Sequence, residues 1–579
     1  MTRDFSVWAP RAGSVDLVLR ETREPMTRDD DGWWHRRSDV PADAAYAFSL
    51  DGGDPRPDPR GLRLPDGPHG WSQLFDPGEF TWTDQDWRGR PLAGSVVYEM
   101  HVGTFTPEGT LDAAIGRLDH LVDLGVDVVE LLPLSPFPGR HGWGYDGVAP
   151  YAVHEPYGGP AALQRFVDAA HGKGLAVCLD VVYNHLGPDG NYLGEFGPYL
   201  TDKHVTPWGE ALNLDARDSE PVRRWVLDNV TQWLTEFHVD GLRLDAVHEL
   251  HDERALHILE EMSACVDALS RRTGRTMWLV AESDRNDPRT VTPRGEGDAV
   301  GGQGMDGQWA DDVHHALHVA LTGESQGYYS DFTDPQALAK VMRTPFFHDG
   351  TWSSFRGRRH GRPVDAATVP GWRFVASLQT HDQVGNRAQG DRLSMLVEPG
   401  LLACGAAILL TSPWTPMLFM GEEWGASTPW QFFTDHTNPE IAAATAKGRK
   451  AEFGSHGWDE DEVPDPQDPE TFTRSKLDWS EVEQVAHARL LAWYRDLLAL
   501  RRDRPELHDA RLDRVGVEWD RSAGRFAMRR GEHQVLVNLS DGPVSFDAEG
   551  SVLLSWEPDV AVDGGRVDVP ARSAVVVGR

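Results

Sequence analysis

The sequence predicts an α/β protein: a closed (β/α)8 (TIM) barrel with an N-terminal β-sandwich module and a small C-terminal β-domain. Three observations predict this fold class. Apolar runs between residues 96 and 420 alternate with stretches of helical spacing, which is typical of a parallel sheet. There are eight such runs, the number of strands that closes a barrel. Both ends of the chain instead show short alternating apolar patterns broken by Gly, Pro and Asp, as in small antiparallel domains.

The elements follow in chain order. Residues 1–90 carry short alternations such as Phe5–Val7 and Tyr46–Leu50, which predict the N-terminal sandwich. Residues 91–512 carry the predicted barrel strands, which are Val96–Met100, Val126–Leu132, Leu175–Val182, Gly241–Leu244, Met277–Val280, a weak strand at Gln308–Trp309, Phe374–Leu378 and Met417–Met420. The predicted helices between them include Leu111–Leu124, Ala161–Lys173, Pro221–Phe237, Glu253–Ser270 and Leu401–Leu410. Residues 513–579 return to short strands and predict a C-terminal β-sandwich domain. A doubly wound open sheet is the alternative, but no glycine-rich phosphate loop follows the first strand.

Charge and composition exclude several classes of function. The chain has 579 residues, and its 91 Asp and Glu against 56 Lys and Arg give a net charge of −35. Such a charge repels phosphate backbones and anionic lipids, so we expect neither a nucleic acid nor a membrane as partner. No stretch of about 18 uncharged apolar residues and no export signal occur, which predicts a cytoplasmic protein. The three cysteines are far apart and predict reduced thiols.

Carboxylates stand at the ends of four predicted strands. Asp180 precedes Asn184 and His185, Arg243 precedes Asp245, Glu282 ends the fifth strand, and His381-Asp382 follows the seventh. The carboxyl ends of barrel strands meet at one rim, so these acids can face one cavity. A single Asp at such a place is often only a helix cap. Four together, each beside His, Arg or Asn, favour a catalytic site.

Clustered carboxylates in an acidic, tryptophan-rich chain without nucleotide or metal motifs indicate glycoside chemistry. That reaction needs two carboxyl groups in different protonation states. Arg243 lies two residues before Asp245 on the same strand face, so we expect it to keep Asp245 ionised. Glu282 ends a nearly all-apolar strand, and we expect those surroundings to favour its neutral, proton-donating form.

These four regions, in their order and spacing, resemble the signature regions of the α-amylase-type glycoside hydrolases over about residues 95 to 510. The resemblance implies that Asp245 is the nucleophile, Glu282 the general acid/base and Asp382 the transition-state stabiliser. It implies that Tyr145, His185, Arg243 and His381 line the subsite of the sugar that becomes covalently bound. The further substrate-binding candidates are His248, Trp309, Asp311, Asp312, Gln383 and Asn386. For Trp309, Asp311 and Asp312 an ordinary helix start is an equally good interpretation.

Within the family, further runs resemble the members that act on malto-oligosyltrehalose. These runs are Phe5–Pro10, Tyr98–Phe105, Trp143–Gly147, Asn191–Pro198, Trp309–Asp312, His381–Asn386 and Gly421–Trp424. The resemblance implies retaining hydrolysis of the α-1,4 bond next to the terminal trehalose, which releases free trehalose for trehalose biosynthesis. It also implies a functional partnership with a trehalose-forming synthase through the shared substrate. A branching glucanotransferase and a general α-amylase-type hydrolase are the alternatives. A non-catalytic glucan-binding scaffold is disfavoured because Asp245, Glu282 and Asp382 are all intact.

Two departures from the family pattern and one feature of length concern substrate and metal. Trp143 and Glu249 stand where many amylases have His, so the leaving-group side is expected to differ. The stretch between His185 and Asn213 is short, so we expect a small insertion after the third strand and no calcium site. His248, His251 and His257 fall on a predicted helical segment but lack a convergent acidic ligand, and we assign no metal and no cofactor.

Overall fold

The computed structural model describes residues 2–20, 22–295, 300–455 and 463–579. At its centre eight parallel strands close into a barrel in chain order, with the last strand beside the first. The barrel strands, numbered first to eighth below, are Val97–Met100, Val128–Leu131, Ala176–Val181, Gly241–Leu244, Trp278–Ala281, Gly307–Trp309, Phe374–Ser377 and Thr415–Phe419. All eight predicted strands are confirmed, with ends that differ by at most two residues. The parallel barrel also excludes the open-sheet alternative.

The helices surround the barrel because their apolar faces pack on the outer face of the strands. The helices of five or more residues are Leu111–Ile115, Leu118–Leu124, Gly159–Gly172, Ser219–Thr235, Ile258–Thr273, Asp311–Thr322, Ala337–Val341, His381–Gly385, Pro399–Leu410, Pro439–Ser455, Pro469–Arg474 and Val485–Asp503. Single turns occur at Val102–Phe105, Leu193–Phe196 and Leu393–Leu396.

Two predicted helices differ from the structure. The predicted helix Leu111–Leu124 is two helices, because Gly116 ends the first and Arg117 begins the second. The predicted helix Glu253–Ser270 begins only at Ile258, because His257 forms a capping box with Glu260 at that point. The expectation that His248, His251 and His257 share a helical segment is therefore wrong.

The N-terminal module consists of two antiparallel sheets. One contains Thr2–Trp8, Trp33–Asp39 and Thr27–Arg28, and the other contains Thr22–Pro25, Val15–Leu19, Ala45–Leu50, Pro55–Arg56 and Ser72–Gln73. Phe5, Leu17 and Phe48 are buried, as the alternating pattern requires. The N-terminal region contacts the barrel domain through the edge contact between Trp8 and Tyr199 and the ion pair between Arg60 and Asp228.

The C-terminal domain has a five-stranded antiparallel sheet of Val515–Asp520, Arg525–Arg530, His533–Asn538, Ser573–Gly578 and Ser551–Ser555. A two-stranded sheet, Val544–Asp547 and Arg566–Val569, covers part of it. The larger sheet packs on the helix Pro399–Leu410 of the barrel. The domain boundaries 1–90, 91–512 and 513–579 stay a prediction. Within the described ranges, no helix is long and apolar enough to cross a membrane.

Barrel closure between the fourth and fifth strands depends on a residue without a side chain. Gly241 pairs with Trp278, and a Cβ at Gly241 would lie 2.3 Å from the Trp278 ring. We therefore expect Gly241→Ala to lower the free energy of unfolding by about 1–3 kcal/mol, the usual cost of overpacking. Gly448→Ala is the control, because Gly448 lies in an exposed helix with no atom within 4 Å of its added Cβ. Thermal unfolding followed by circular dichroism measures both, and equal midpoints for the two variants would contradict the prediction.

Candidate active site

The centre of the site is the guanidinium of Arg243, which projects from the fourth strand and is fully buried. Its Nη1 lies 2.8 Å from Asp180 Oδ2 and 2.7 Å from Asp245 Oδ1, and its Nη2 lies 3.0 Å from Glu282 Oε2. The indole of Trp309 covers the guanidinium at 4.3 Å. Burial opposes the charge, but Asp180 and Glu282 raise the pKa of Arg243 well above its ordinary value. One positive charge therefore holds three carboxylates from three neighbouring strands.

Asp245 directly follows the fourth strand, and both of its carboxylate oxygens are engaged. Arg243 pairs with Oδ1, and Asn184 Nδ2 donates to Oδ2 at 3.0 Å. The next residue, Ala246, has a left-handed backbone with φ of 37°, which is strained for a residue with a Cβ. Its N–H donates to Glu282 Oε2 at 2.7 Å. The backbone that follows Asp245 is thus hydrogen-bonded to Glu282, the second carboxylate of the site.

The surroundings of Glu282 are more polar than the sequence predicted. The strand before it is buried and apolar. Its Oε2, however, contacts the Arg243 guanidinium and accepts the Ala246 N–H, and the side chain is 18% exposed. Both contacts are polar, one with a cation and the other with a hydrogen-bond donor. The purely apolar environment that we expected from its strand is therefore wrong, because its contacts come from the neighbouring strand.

His381 and Asp382 follow the seventh strand at the start of the helix His381–Gly385. His381 Nδ1 lies 2.6 Å from Glu99 Oε1, and its Nε2 lies 3.6 Å from Asp382 Oδ1. The ring of Tyr145 stacks on the imidazole with centroids 5.1 Å apart. Burial alone would lower the pKa of His381, but Asp382 and Glu99 outweigh it and raise that pKa to about 9. The imidazole is therefore positively charged at neutral pH.

Two further carboxyl groups of the site have raised pKa values. Burial raises the pKa of Asp180 to about 7, with Arg243 opposing and Asp245 reinforcing the shift. Asp180 also accepts a hydrogen bond of 2.6 Å from the Tyr145 hydroxyl. Burial, followed by the charges of Glu282 and Asp382, raises the pKa of Asp311 to about 8. At neutral pH, Asp311 is therefore mostly a neutral carboxylic acid, which can donate a hydrogen bond.

A β-hairpin between the sixth and seventh strands, Thr351–Ser353 paired with Arg358–His360, reaches the mouth of the barrel. Arg356 in its turn pairs with Asp284, which lies two residues after Glu282. Beside it, Phe355 is 59% exposed and contacts the Tyr328 ring edge-on at 5.9 Å. The hairpin therefore brings an exposed aromatic surface to the Glu282 side of the site.

A second hairpin, Leu200–Thr206 paired with Gly209–Leu212, forms the small insertion after the third strand. Its turn carries Trp208, which is 52% exposed. The indole stacks on His185 with centroids 4.4 Å apart and planes 16° apart. His185 Nε2 in turn lies 2.9 Å from the Tyr145 carbonyl oxygen. This hairpin follows the third barrel strand, whereas the hairpin of Phe355 lies between the sixth and seventh strands. The two hairpins therefore lie on different sides of the site.

Two of the predicted substrate-binding residues hold loops. Asp312 Oδ2 accepts hydrogen bonds from Asn286 Nδ2 at 2.9 Å and from the backbone N–H groups of Phe347 and His348. His248 Nδ1 accepts the Asp284 N–H at 3.2 Å. Both side chains thus fix the loops that surround Glu282 and are engaged with protein in the structure.

The other predicted residues lie around the helix of Asp382. Asn386 Nδ2 donates to Asp382 Oδ1 at 3.2 Å. The backbone N–H of Gln383 donates to the Thr380 hydroxyl, which caps that helix. The side chain of Gln383 is half-buried at the same rim. The structure thus brings all of the predicted site residues to the carboxyl end of the barrel.

Sequence reasoning missed Glu99, Trp208, Phe355 and Arg356. For Glu99 a signal exists, since it is the charged residue in an otherwise apolar strand, Val97–Met100. Trp208, between Pro207 and Gly209, is a large aromatic residue in a turn, which is also a recognisable signal. The position of Phe355 and Arg356 at the site could not be predicted, because it depends on the tertiary contact between Arg356 and Asp284.

One group among the described residues has the side chains and spacing of a metal site. His204, Asp215 and Glu253 have ligand atoms within 4.8 Å of one another. The ammonium of Lys203 lies 2.9 Å from both Asp215 Oδ2 and Glu253 Oε2. A protein cation therefore already stands between these carboxylates, and the group anchors the hairpin of Trp208. The assignment of no metal stays a prediction.

The closed barrel with this carboxylate cluster at its carboxyl end defines a glycoside hydrolase of the α-amylase class. The family description "Alpha amylase, catalytic domain" matches residues 73–202. The description "Domain of unknown function (DUF3459)" matches residues 510–576 in the C-terminal domain.

Similar proteins define the family more narrowly. The chain is 56% identical to the malto-oligosyltrehalose trehalohydrolase of Arthrobacter ramosus, over 99% of this chain and 100% of that protein. It is 51% identical to the malto-oligosyltrehalose trehalohydrolase of Mycobacterium tuberculosis H37Rv, over 97% and 96% of the two chains. The chain belongs to the malto-oligosyltrehalose trehalohydrolase family.

Solved structures agree with the fold. The crystal structure of a Salmonella typhimurium protein classed among the alpha amylases matches with a TM-score of 0.91 and 38% identity, over 100% of this chain and 98% of that one. A pullulanase from Anoxybacillus sp. LM18-11, complexed with maltotetraose, matches with a TM-score of 0.72 over 100% and 86% of the two chains. Its identity of 17% shows the fold alone.

Proposed function

We propose that this protein hydrolyses the α-1,4-glucosidic bond next to the terminal trehalose of malto-oligosyltrehalose, with retention at the cleaved anomeric carbon. The observation that carries the mechanism is the Arg243 guanidinium, which contacts both Asp245 and Glu282. Retaining glycosidases place their two carboxyl groups about 5–5.5 Å apart, whereas inverting enzymes leave room for a water between them. Two carboxylates that share one guanidinium support the shorter, retaining arrangement.

In the first step, Asp245 attacks the anomeric carbon while Glu282 donates its proton to the leaving oxygen. The glycosidic bond breaks, free trehalose departs, and the malto-oligosaccharide stays bound to Asp245 as an ester. In the second step, Glu282 takes a proton from water, and the resulting hydroxide oxygen attacks the same carbon. The ester bond breaks and Asp245 is released as a carboxylate. Arg243 stabilises that carboxylate as it leaves.

Other side chains of the cluster hold the reacting sugar in this proposal. Asp382 and the charged His381 face the same cavity as Asp245 and bind sugar hydroxyls. Tyr145 and His185 form its wall, with Trp208 extending that wall toward the rest of the glucan chain. Aromatic faces suit the C–H faces of pyranose rings, while acids and imidazoles suit the hydroxyls.

The hairpin with Phe355 and Arg356 forms the leaving-group side in this proposal. The acid that protonates the leaving oxygen is Glu282, and Asp284 in the same loop holds Arg356. The exposed Phe355 therefore lies where the departing trehalose would rest. Asp311, mostly neutral at pH 7, faces Glu282 and supplies a hydrogen-bond donor to the substrate.

Product analysis tests the function. The protein is incubated separately with maltotriosyltrehalose, maltopentaose and amylose, and the products are separated by chromatography. We expect rapid release of trehalose from the first substrate and slow attack on maltopentaose. Equal cleavage of both would indicate a general amylase, and longer branched products from amylose would indicate a branching transferase. A relative named 1,4-alpha-glucan branching enzyme from Corynebacterium jeikeium is 25% identical over 74% of this chain, so the amylose arm is needed.

The partner in metabolism follows from the substrate. A chain end already converted to trehalose must be supplied by another enzyme, and we propose a trehalose-forming synthase in that role, coupled through the shared substrate. We further propose a cytoplasmic location, which the free thiols of Cys178, Cys265 and Cys404 support.

The nucleophile is tested by Asp245→Asn. The amide keeps the shape of the side chain but cannot form the ester, so we expect kcat to fall by at least ~10³-fold. The unfolding midpoint is expected to change much less. Asp112→Asn, at an exposed ion pair with Arg165, is the control and should keep full activity. Comparable kcat for Asp245→Asn and the wild type would remove Asp245 from the mechanism.

The roles of Trp208 and Phe355 are tested by comparing their alanine variants on two substrates. Trp208→Ala should raise KM for maltotriosyltrehalose and maltopentaose alike, by about two- to tenfold, since stacking contributes about 0.5–1.5 kcal/mol. Phe355→Ala should lower kcat/KM for maltotriosyltrehalose more than for maltopentaose. Both side chains are more than half exposed, so neither change should unfold the protein. The reverse pattern, with selectivity lost in Trp208→Ala and kept in Phe355→Ala, would contradict the assignment of the two sides.

A further inference from the structure

Glu99 is a buried carboxylate that the proposed chemistry does not use. It lies inside the first barrel strand and is 1% exposed. An ion at such a place costs several kcal/mol unless it is paired. Its partner is His381, which is 282 residues away in the chain. His381 Nδ1 lies 2.6 Å from Glu99 Oε1, and the His381 backbone N–H donates to Glu99 Oε2 at 2.9 Å.

We infer that Glu99 is a positioning residue for the glycosidic reaction, because it fixes the ring of His381 and keeps that ring doubly protonated. Nδ1 is engaged by Glu99, so Nε2 is the ring nitrogen that faces Asp382 and the sugar cavity. Stacking of Tyr145 on the imidazole sets the ring plane. The inference rests on the proposed function only in placing a sugar beside Nε2.

The charged and titratable groups that act on His381 come from every side of the ring. They are Glu99 on the first strand, Asp382 on its own helix, Arg243 on the fourth strand, Asp180 on the third strand, and His101 after the first strand. Burial lowers the pKa of His101 to about 3, so that ring is neutral. Arg243 opposes protonation of His381, whereas the carboxylates favour it. The Glu99 carboxylate is the one in direct hydrogen-bond contact with the ring.

Glu130 offers a natural comparison for Glu99. It lies opposite Glu99 in the register of the first two strands and is equally surrounded by the barrel core. Burial, with Glu99 and Asp180 adding to it, raises the pKa of Glu130 to about 8. Glu130 is thus mostly neutral at pH 7. Of these two glutamates in the same layer, Glu99 is the one that contacts the His381 ring.

The direction of the pH effect follows from these contacts. The raised pKa of His381 means that the ring stays protonated until the pH rises through about 9. Removing the Glu99 charge should lower that pKa toward or below the ordinary value of about 6.5, since burial alone favours the neutral ring. A neutral ring that still donates from Nδ1 has no proton on Nε2. The sugar would then lose a charged hydrogen-bond donor.

The experiment measures the titration of His381 directly. The full-length protein is labelled with ¹³C at the histidine ring Cε1, and the His381 signal is identified by its loss in His381→Asn. In Glu99→Gln we expect the pKa of His381 to fall by at least about two units, a hundredfold change in proton affinity. An unchanged titration of His381 in Glu99→Gln would overturn the inference.

A kinetic measurement accompanies the titration. Hydrolysis of α-maltosyl fluoride is followed from pH 5 to pH 9, because this probe needs the sugar subsite but carries no trehalose. We expect kcat/KM of Glu99→Gln to fall at least tenfold at pH 8 and by less at pH 5. The same relative loss at every pH would indicate a merely structural role and oppose the inference.

Matched variants complete the design. Glu130→Gln replaces a carboxyl group that is mostly neutral below its pKa of about 8, so it should leave kcat/KM as in the wild type from pH 5 to pH 7. Glu99→Gln should add nothing to the pH profile in the His381→Asn background. If Glu99→Gln does not fold, Glu99→Asp carries the test, since its carboxylate is one methylene shorter and an unchanged pKa of His381 would oppose the inference. Failure of trehalose release in the product analysis would leave these measurements valid.

Discussion

The site depends on one interaction, the contact of the buried Arg243 guanidinium with three carboxylates. Asp180, Asp245 and Glu282 come from three neighbouring strands and would repel one another in a site of low dielectric constant. A guanidinium cannot lose its charge under physiological conditions and presents its donors in a fixed plane. Trp309 packs on the flat face of that plane. The barrel strands can therefore bring their acids together only because this cation lies between them.

The imidazole of His381 supplies a second positive charge to the site. His381 is protonated between Glu99 and Asp382, so the sugar cavity is flanked by a permanent cation and a titratable one. Burial nevertheless outweighs these cations at two carboxyl groups, since it raises the pKa of Asp311 to about 8 and that of Asp180 to about 7. The cavity thus holds carboxyl groups whose proton affinities differ with their surroundings.

The sequence predicts the barrel and the rim residues well, because both depend on local patterns. Apolar runs give the strands, and a polar residue after each run gives the rim. The role of Glu99 could not be predicted, since it depends on a partner 282 residues away. The surroundings of Glu282 were misjudged for the same reason: its own strand is apolar, but its contacts come from Arg243 and Ala246.

We propose that the loop after the fifth strand links bond cleavage to recognition of the leaving group. In the proposed mechanism Glu282 supplies the proton, and Asp284 in the same loop pairs with Arg356 of the hairpin that carries Phe355. A sugar resting on that hairpin would therefore act on the loop that positions the acid. Binding energy from a part of the substrate that does not react can in this way orient the proton donor, and such energy raises kcat only when it is realised in the transition state. Selectivity for the leaving group and rate of cleavage should accordingly change together when this loop or hairpin is altered.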